Sequence, residues 1–86
     1  MFSLLGFGNN YEDEEIRKKA KNAIVNHPML NKYTNISVSS IDGEVVLKGK
    51  VTSEKDKNKI KKEIKQKLDK SGINYESISN DIDLEE

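Results

Sequence analysis

The sequence predicts an α+β domain of order α-β-β-α-β, a three-stranded mixed sheet with two helices on one face. Three observations carry this expectation. Apolar residues recur at helical spacing in two stretches, near 11–25 and 53–70. They alternate with polar residues in three shorter stretches, and Asp42-Gly43 stands between the first two of these. With 86 residues there is room for one domain, expected over residues 11–86. Residues 1–10 form a short apolar segment ahead of it, expected to be flexible.

The first helix is expected from about Tyr11 to Val25, with Ile16, Ala20, Ala23 and Ile24 on one stripe. Asn10 is the expected N-cap. Glu12 to Glu15 fill the first turn, and Arg17, Lys18, Lys19 and Lys21 follow, an order that suits the helix dipole rather than a metal. The helix must stop before Pro28, because the residue preceding proline is pushed out of the helical region.

Asp42-Gly43 between alternating runs marks a hairpin, since its primed turn needs positive φ at both central residues. Folding the chain there sets Val38 against Leu47 and Ile36 against Gly49. Gly43 is thus structural through its φ, and Gly49 through the space it leaves for a helix to approach the sheet. Ser37, Ser39, Ile41, Val46, Lys48 and Lys50 fall on the opposite, wet face.

Ser53 opens the second helix, with Asp56 at the capping-box position, and Ile60, Ile64 and Leu68 form the apolar ridge. Gly72 stands where a helix ends in a left-handed residue. The third strand is expected from about Glu76 to Leu84, with Ile78, Ile82 and Leu84 inward. Asn80 shares that inward parity, so it is expected to be at least half buried and to tie down nearby backbone. A right-handed crossover then makes strands two and three parallel.

Composition subtracts chemistries. Fifteen basic residues balance fifteen acidic ones, so net charge points to no polyanion. The absence of cysteine removes disulfides and thiolates, and the single histidine, His27, sits in a turn without triad partners. No catalytic residue, metal-ligand cluster or cofactor is expected. Gly43 to Val51 imitates a phosphate loop but has five residues between its glycines and Val51 after Lys50. Specific nucleic-acid binding is not expected either: Arg17 is the one arginine, and no GxxG loop or aromatic platform occurs.

Two stretches suit a surface. Lys55, Lys59, Lys62 and Lys70 gather opposite the ridge of the second helix, a positive stripe fit for anionic headgroups. The plainer alternative is a solvated face with pairs such as Glu63 with Lys67. Phe2, Leu4, Leu5 and Phe7 could enter a headgroup boundary, pack on the domain or a partner, or form a disordered tail. This segment lacks the basic start of a secretory signal and is too short to span a bilayer, so the chain is expected to be cytoplasmic.

Taken together, these residues resemble the BON domain family, a small bacterial αββαβ module. The helix residues Asp13, Ile16, Ala20, Ala23 and Ile24 and the turn His27-Pro28-Met29-Leu30 carry part of the likeness. Its centre is Ile36, Val38, Asp42, Gly43, Val45, Leu47, Gly49 and Val51, with Ser53 opening the next helix and Ile78, Asn80 and Ile82 closing the chain. The likeness spans about residues 12 to 84. It implies a non-enzymatic module that meets a phospholipid membrane surface or a protein partner in envelope or osmotic-stress maintenance. A cytoplasmic relative that joins such a domain to a LysM module binds potassium, which makes monovalent-cation sensing the alternative. Asp42, Asp81 and Asp83 would be the oxygen donors. A protein-interaction domain working through a strand edge is the third.

Overall fold

A computed structural model describes residues 11–85. The elements run α1 (Asp13–Val25), β1 (Ser37–Ile41), β2 (Glu44–Val51), α2 (Glu54–Lys70) and β3 (Ser77–Leu84). Phe2, Leu4, Leu5 and Phe7 lie outside the described residues, as does Asn10.

The sheet order is β1-β2-β3, with β1 antiparallel and β3 parallel to the central strand. Val38 pairs with Leu47 as the hairpin parity requires. Both turn residues have positive φ, 51° at Asp42 and 84° at Gly43. Both helices cover the same sheet face, and the core forms between the layers. It comprises Ile16, Ala20 and Ile24 of α1, Ile60, Ile64 and Leu68 of α2, Val45, Leu47 and Val51 of β2, and Ile82 of β3. Leu30 and Ile36 from the connection after α1 complete it.

The second helix is closed at both ends. The Ser53 hydroxyl accepts from the Asp56 N–H at 3.1 Å. At the other end Gly72, with φ 69°, donates to the Asp69 carbonyl while Ile73 donates to that of Leu68, a complete Schellman motif.

Three expectations are corrected. The N-cap of α1 is Glu12, and no side chain caps it. Asp13 turns its carboxylate to the hairpin instead, where three donors wait. Gly49 faces Ile36 as expected, but it does not make room for a helix. A Cβ there would stand 2.8 Å from the Asn35 carbonyl oxygen and 2.9 Å from Ile36 Cδ1, so the space is taken by the chain entering β1. Leu84 has inward parity yet is exposed, because α2 begins only at Glu54 and does not cover the strand's end.

Candidate functional site

The orientation of α2 is fixed by its ridge. Ile60, Ile64 and Leu68 are fully buried, which turns the opposite side to solvent. Lys55, Lys62 and Lys70 are exposed, and Lys59 is half-buried at the rim. The structure therefore does bring the expected stripe together on one rigid face.

Its charge is not compensated locally. Among the described residues none of these four lysines has a carboxylate within ion-pair distance. Three of the four acids of α2, Asp56, Glu63 and Asp69, are engaged elsewhere. Asp69 takes Lys65 at 3.2 Å, a contact that holds the Lys65 ammonium above its ordinary pKa, and it also accepts from the Tyr75 hydroxyl. Asp56 is buried and held by Tyr33. The expected Glu63–Lys67 pair does not form, because Glu63 lies 3.8 Å from His27 Nε2 in the turn after α1. His27 is anchored in that turn: its Nδ1 accepts from the Met29 N–H, which aims Nε2 at Glu63. A groove of about 260 Å³ opens here between the helices, with Asn22, Asn26, Gln66, Lys67 and Lys70 on its walls.

The wet sheet face is a weaker candidate. Register sets Lys48 beside Asp81 and Lys50 beside Asp83, so each lysine has an acid on the neighbouring strand. The three carboxylates expected for a cation are not brought together. Asp42 stands at the hairpin tip, whereas Asp83 pairs with Lys50 near the far end of β2. Among the described residues no three His, Cys, Asp or Glu side chains could share a metal ion.

Two polar clusters escaped the sequence. The Asp13 carboxylate accepts from the Ser40 hydroxyl at 2.7 Å and from the Asp42 and Gly43 N–H groups at 2.8 and 2.9 Å. The Ser40 hydroxyl and then the Gly43 N–H hold its pKa below the ordinary value, against the opposing effect of desolvation. Beside it the Tyr11 ring lies over Gly43 and its hydroxyl donates to Glu76, a bond that raises the phenol pKa. In the second cluster the Tyr33 hydroxyl donates to Asp56 at 2.5 Å and accepts from the Thr52 N–H at 3.3 Å. Ser40 gave the one usable signal, a hydroxyl at an inward strand position that must find a partner.

The fold, the glycine turn and the hairpin register point one way, and the family model described as BON domain matches residues 12–68. This chain belongs to the BON domain family. No match was found among curated proteins. The matched part of this BON domain carries Gly43, Gly49, Lys55, Lys59 and Lys62, while Lys70, Asn80 and β3 follow it. BON domains are non-catalytic binding modules associated with phospholipids and the cell envelope. Among the described residues no helix is long and apolar enough to cross a membrane.

Proposed function

We propose that this BON domain is a non-enzymatic module that associates with an anionic phospholipid surface through α2, in envelope or osmotic-stress maintenance. The observation that carries this reading is the set Lys55, Lys59, Lys62 and Lys70 on one face of a rigid helix, with no carboxylate partner among the described residues. A lysine near an anionic leaflet contributes about 1 kcal/mol, so a handful gives weak, reversible attachment. Lysine suits this role, because a diffuse layer of headgroups asks for point charge rather than a bidentate fork. The mixed charges of the sheet face offer no comparable field.

Co-sedimentation with phosphatidylserine-containing vesicles, against pure phosphatidylcholine, tests the reading. The wild type should pellet with the anionic vesicles only, and changing all four lysines to glutamine should remove that binding. Equal recovery with both vesicle types, or an unaffected quadruple variant, defeats it.

A further inference from the structure

The groove between the helices joins opposite charges. On a wheel turning about 100° per residue, Lys70 stands at one margin of the lysine stripe, with Glu63 about 20° beyond it and Lys67 about 60°. The groove therefore opens directly beside the lysine face, and Asn22 and Asn26 at the end of α1 form its far wall.

Glu63 is the unusual member of this groove. Its side chain is 26% exposed, and among the described residues its one charged partner is the His27 ring, at 3.8 Å. Lys59 and Lys67 stand one turn away on either side, yet neither comes within ion-pair distance of it. His27 Nδ1 accepts from the Met29 N–H at 3.1 Å, so the neutral ring carries its proton on Nε2, facing Glu63. That tautomer keeps no lone pair for a metal ion in the groove. A half-buried carboxylate with so distant a partner has acceptor capacity left for a charged donor from outside.

We infer that this groove takes a phospholipid headgroup bearing a primary ammonium, that of phosphatidylserine or phosphatidylethanolamine. The ammonium pairs with Glu63, and the phosphate meets Lys67 and Lys70, which line the same hollow. At about 260 Å³ the hollow has room for a phosphate and a two-carbon amine. A choline headgroup suits it poorly, because its methyl groups leave no N–H to donate. Phosphatidylglycerol lacks the cation altogether. The inference rests on the lipid reading of α2 and adds a choice of headgroup. A face of point charges makes no such choice, since at equal surface charge it binds every anionic lipid alike. A soluble ester of phosphate and ethanolamine shares the chemistry, and the test separates the two sources.

Co-sedimentation of the full chain, at one salt concentration and with vesicles of equal anionic fraction, tests this. The vesicles are phosphatidylglycerol in phosphatidylcholine, phosphatidylglycerol in phosphatidylethanolamine, and phosphatidylserine in phosphatidylcholine. The second and third should bind about fivefold more tightly than the first, as expected of one partly exposed ion pair. Glu63→Gln should bring all three to one level. If that variant fails to fold, amide NMR of the wild type with soluble headgroups decides. Glycerophosphoethanolamine should shift Glu63 and Lys67, and glycerophosphocholine should not. Equal binding to all three vesicles, with binding lost in the quadruple lysine variant, overturns the inference while the lysine face stands. A wild type that ignores every anionic vesicle overturns both. A preference that survives Glu63→Gln also overturns the inference, as do equal or absent shifts from the two soluble headgroups. Shifts from glycerophosphoethanolamine without any preference among vesicles would assign the groove to a soluble ester and overturn it as well.

Discussion

The side-chain amide of Asn80 in β3 donates to the carbonyl of Lys57 in α2, 3.0 Å away, and so ties the last strand to the helix packed on it. The other end of the same amide, Oδ1, is buried without a partner among the described residues. One bond gained against one acceptor left dry keeps the net benefit modest. Asn80→Ala should therefore destabilise by about 0.5–1.5 kcal/mol, near the net value of one intramolecular hydrogen bond. For a domain of this size that lowers Tm by roughly 4–8 °C per kcal/mol, within reach of a thermal melt. An unchanged Tm would remove Asn80 from the structural account.

Gly49 and Gly72 separate two reasons for glycine. Gly49 has φ 140°, and a Cβ there would press on the Asn35 carbonyl oxygen, which belongs to the backbone and cannot swing away. Gly72 has φ 69° with nothing within 4 Å of a Cβ. Gly72→Ala should cost only the left-handed penalty, about 1–2 kcal/mol. Gly49→Ala adds a steric clash to a backbone strain of about 1–3 kcal/mol, and Gly49→Val should cost more still. Urea midpoints should rank wild type, Gly72→Ala, Gly49→Ala and Gly49→Val in falling order. Gly49→Ala as stable as Gly72→Ala would mean that the entry to β1 yields.

Asp13 makes the domain sensitive to acid. Because the folded chain holds this carboxyl below its ordinary value of 3.8, folding is favoured by the ionised form. That contribution is complete above the ordinary value and disappears as pH falls through the lower folded value. Asp13→Asn should thus be less stable than wild type near neutrality. Its stability should also fall less steeply than that of wild type between about pH 5 and pH 2. Parallel acid limbs in the two proteins would show that the carboxylate does not hold the hairpin.

Tyr33 should matter through its hydroxyl more than its ring. It supplies the donor that a buried Asp56 carboxylate needs and accepts from Thr52. Tyr33→Phe keeps the packing but leaves Asp56 with Lys32 at 3.8 Å as its remaining ion-pair partner. The expected cost is about 1–3 kcal/mol, the penalty for an unsatisfied buried polar group. In an Asp56→Asn background the same change should cost less, and a double-mutant cycle measures the coupling. Strict additivity would count against the pair.

These clusters mark where sequence reading stopped. The hairpin register was legible because Asp42-Gly43 fixes the turn and alternation fixes the face, both local properties. The lysine stripe was legible because helical spacing alone sets Lys55, Lys59, Lys62 and Lys70 opposite Ile60, Ile64 and Leu68. Asp13 and Asp56 each sat where a local rule already explained an acid, in a first helical turn and at a capping-box position. Their partners, Ser40 and Tyr33, lie 27 and 23 residues away, and no period connects them. Gly49 was placed on the right face, but what occupies its missing Cβ depends on how the preceding loop enters β1.

The lysine face makes a forecast that an apolar anchor does not share. Attraction between exposed charges fades over a Debye length, about 10 Å at 0.1 M salt and 3 Å at 1 M. Vesicle binding through Lys55, Lys59, Lys62 and Lys70 should therefore fall steeply as salt rises. Deleting residues 1–8 should only weaken it. An anchor built from Phe2, Leu4, Leu5 and Phe7 would behave the other way, resisting salt and vanishing on truncation. Lys48→Gln with Lys50→Gln supplies the control for bulk charge, since it removes two positive charges that register sets beside Asp81 and Asp83. Binding that tracks net charge should respond to this pair as it does to any two lysines of α2. Binding that belongs to the helix face should leave the sheet variant at wild-type recovery, while Lys55→Gln with Lys62→Gln loses most of it.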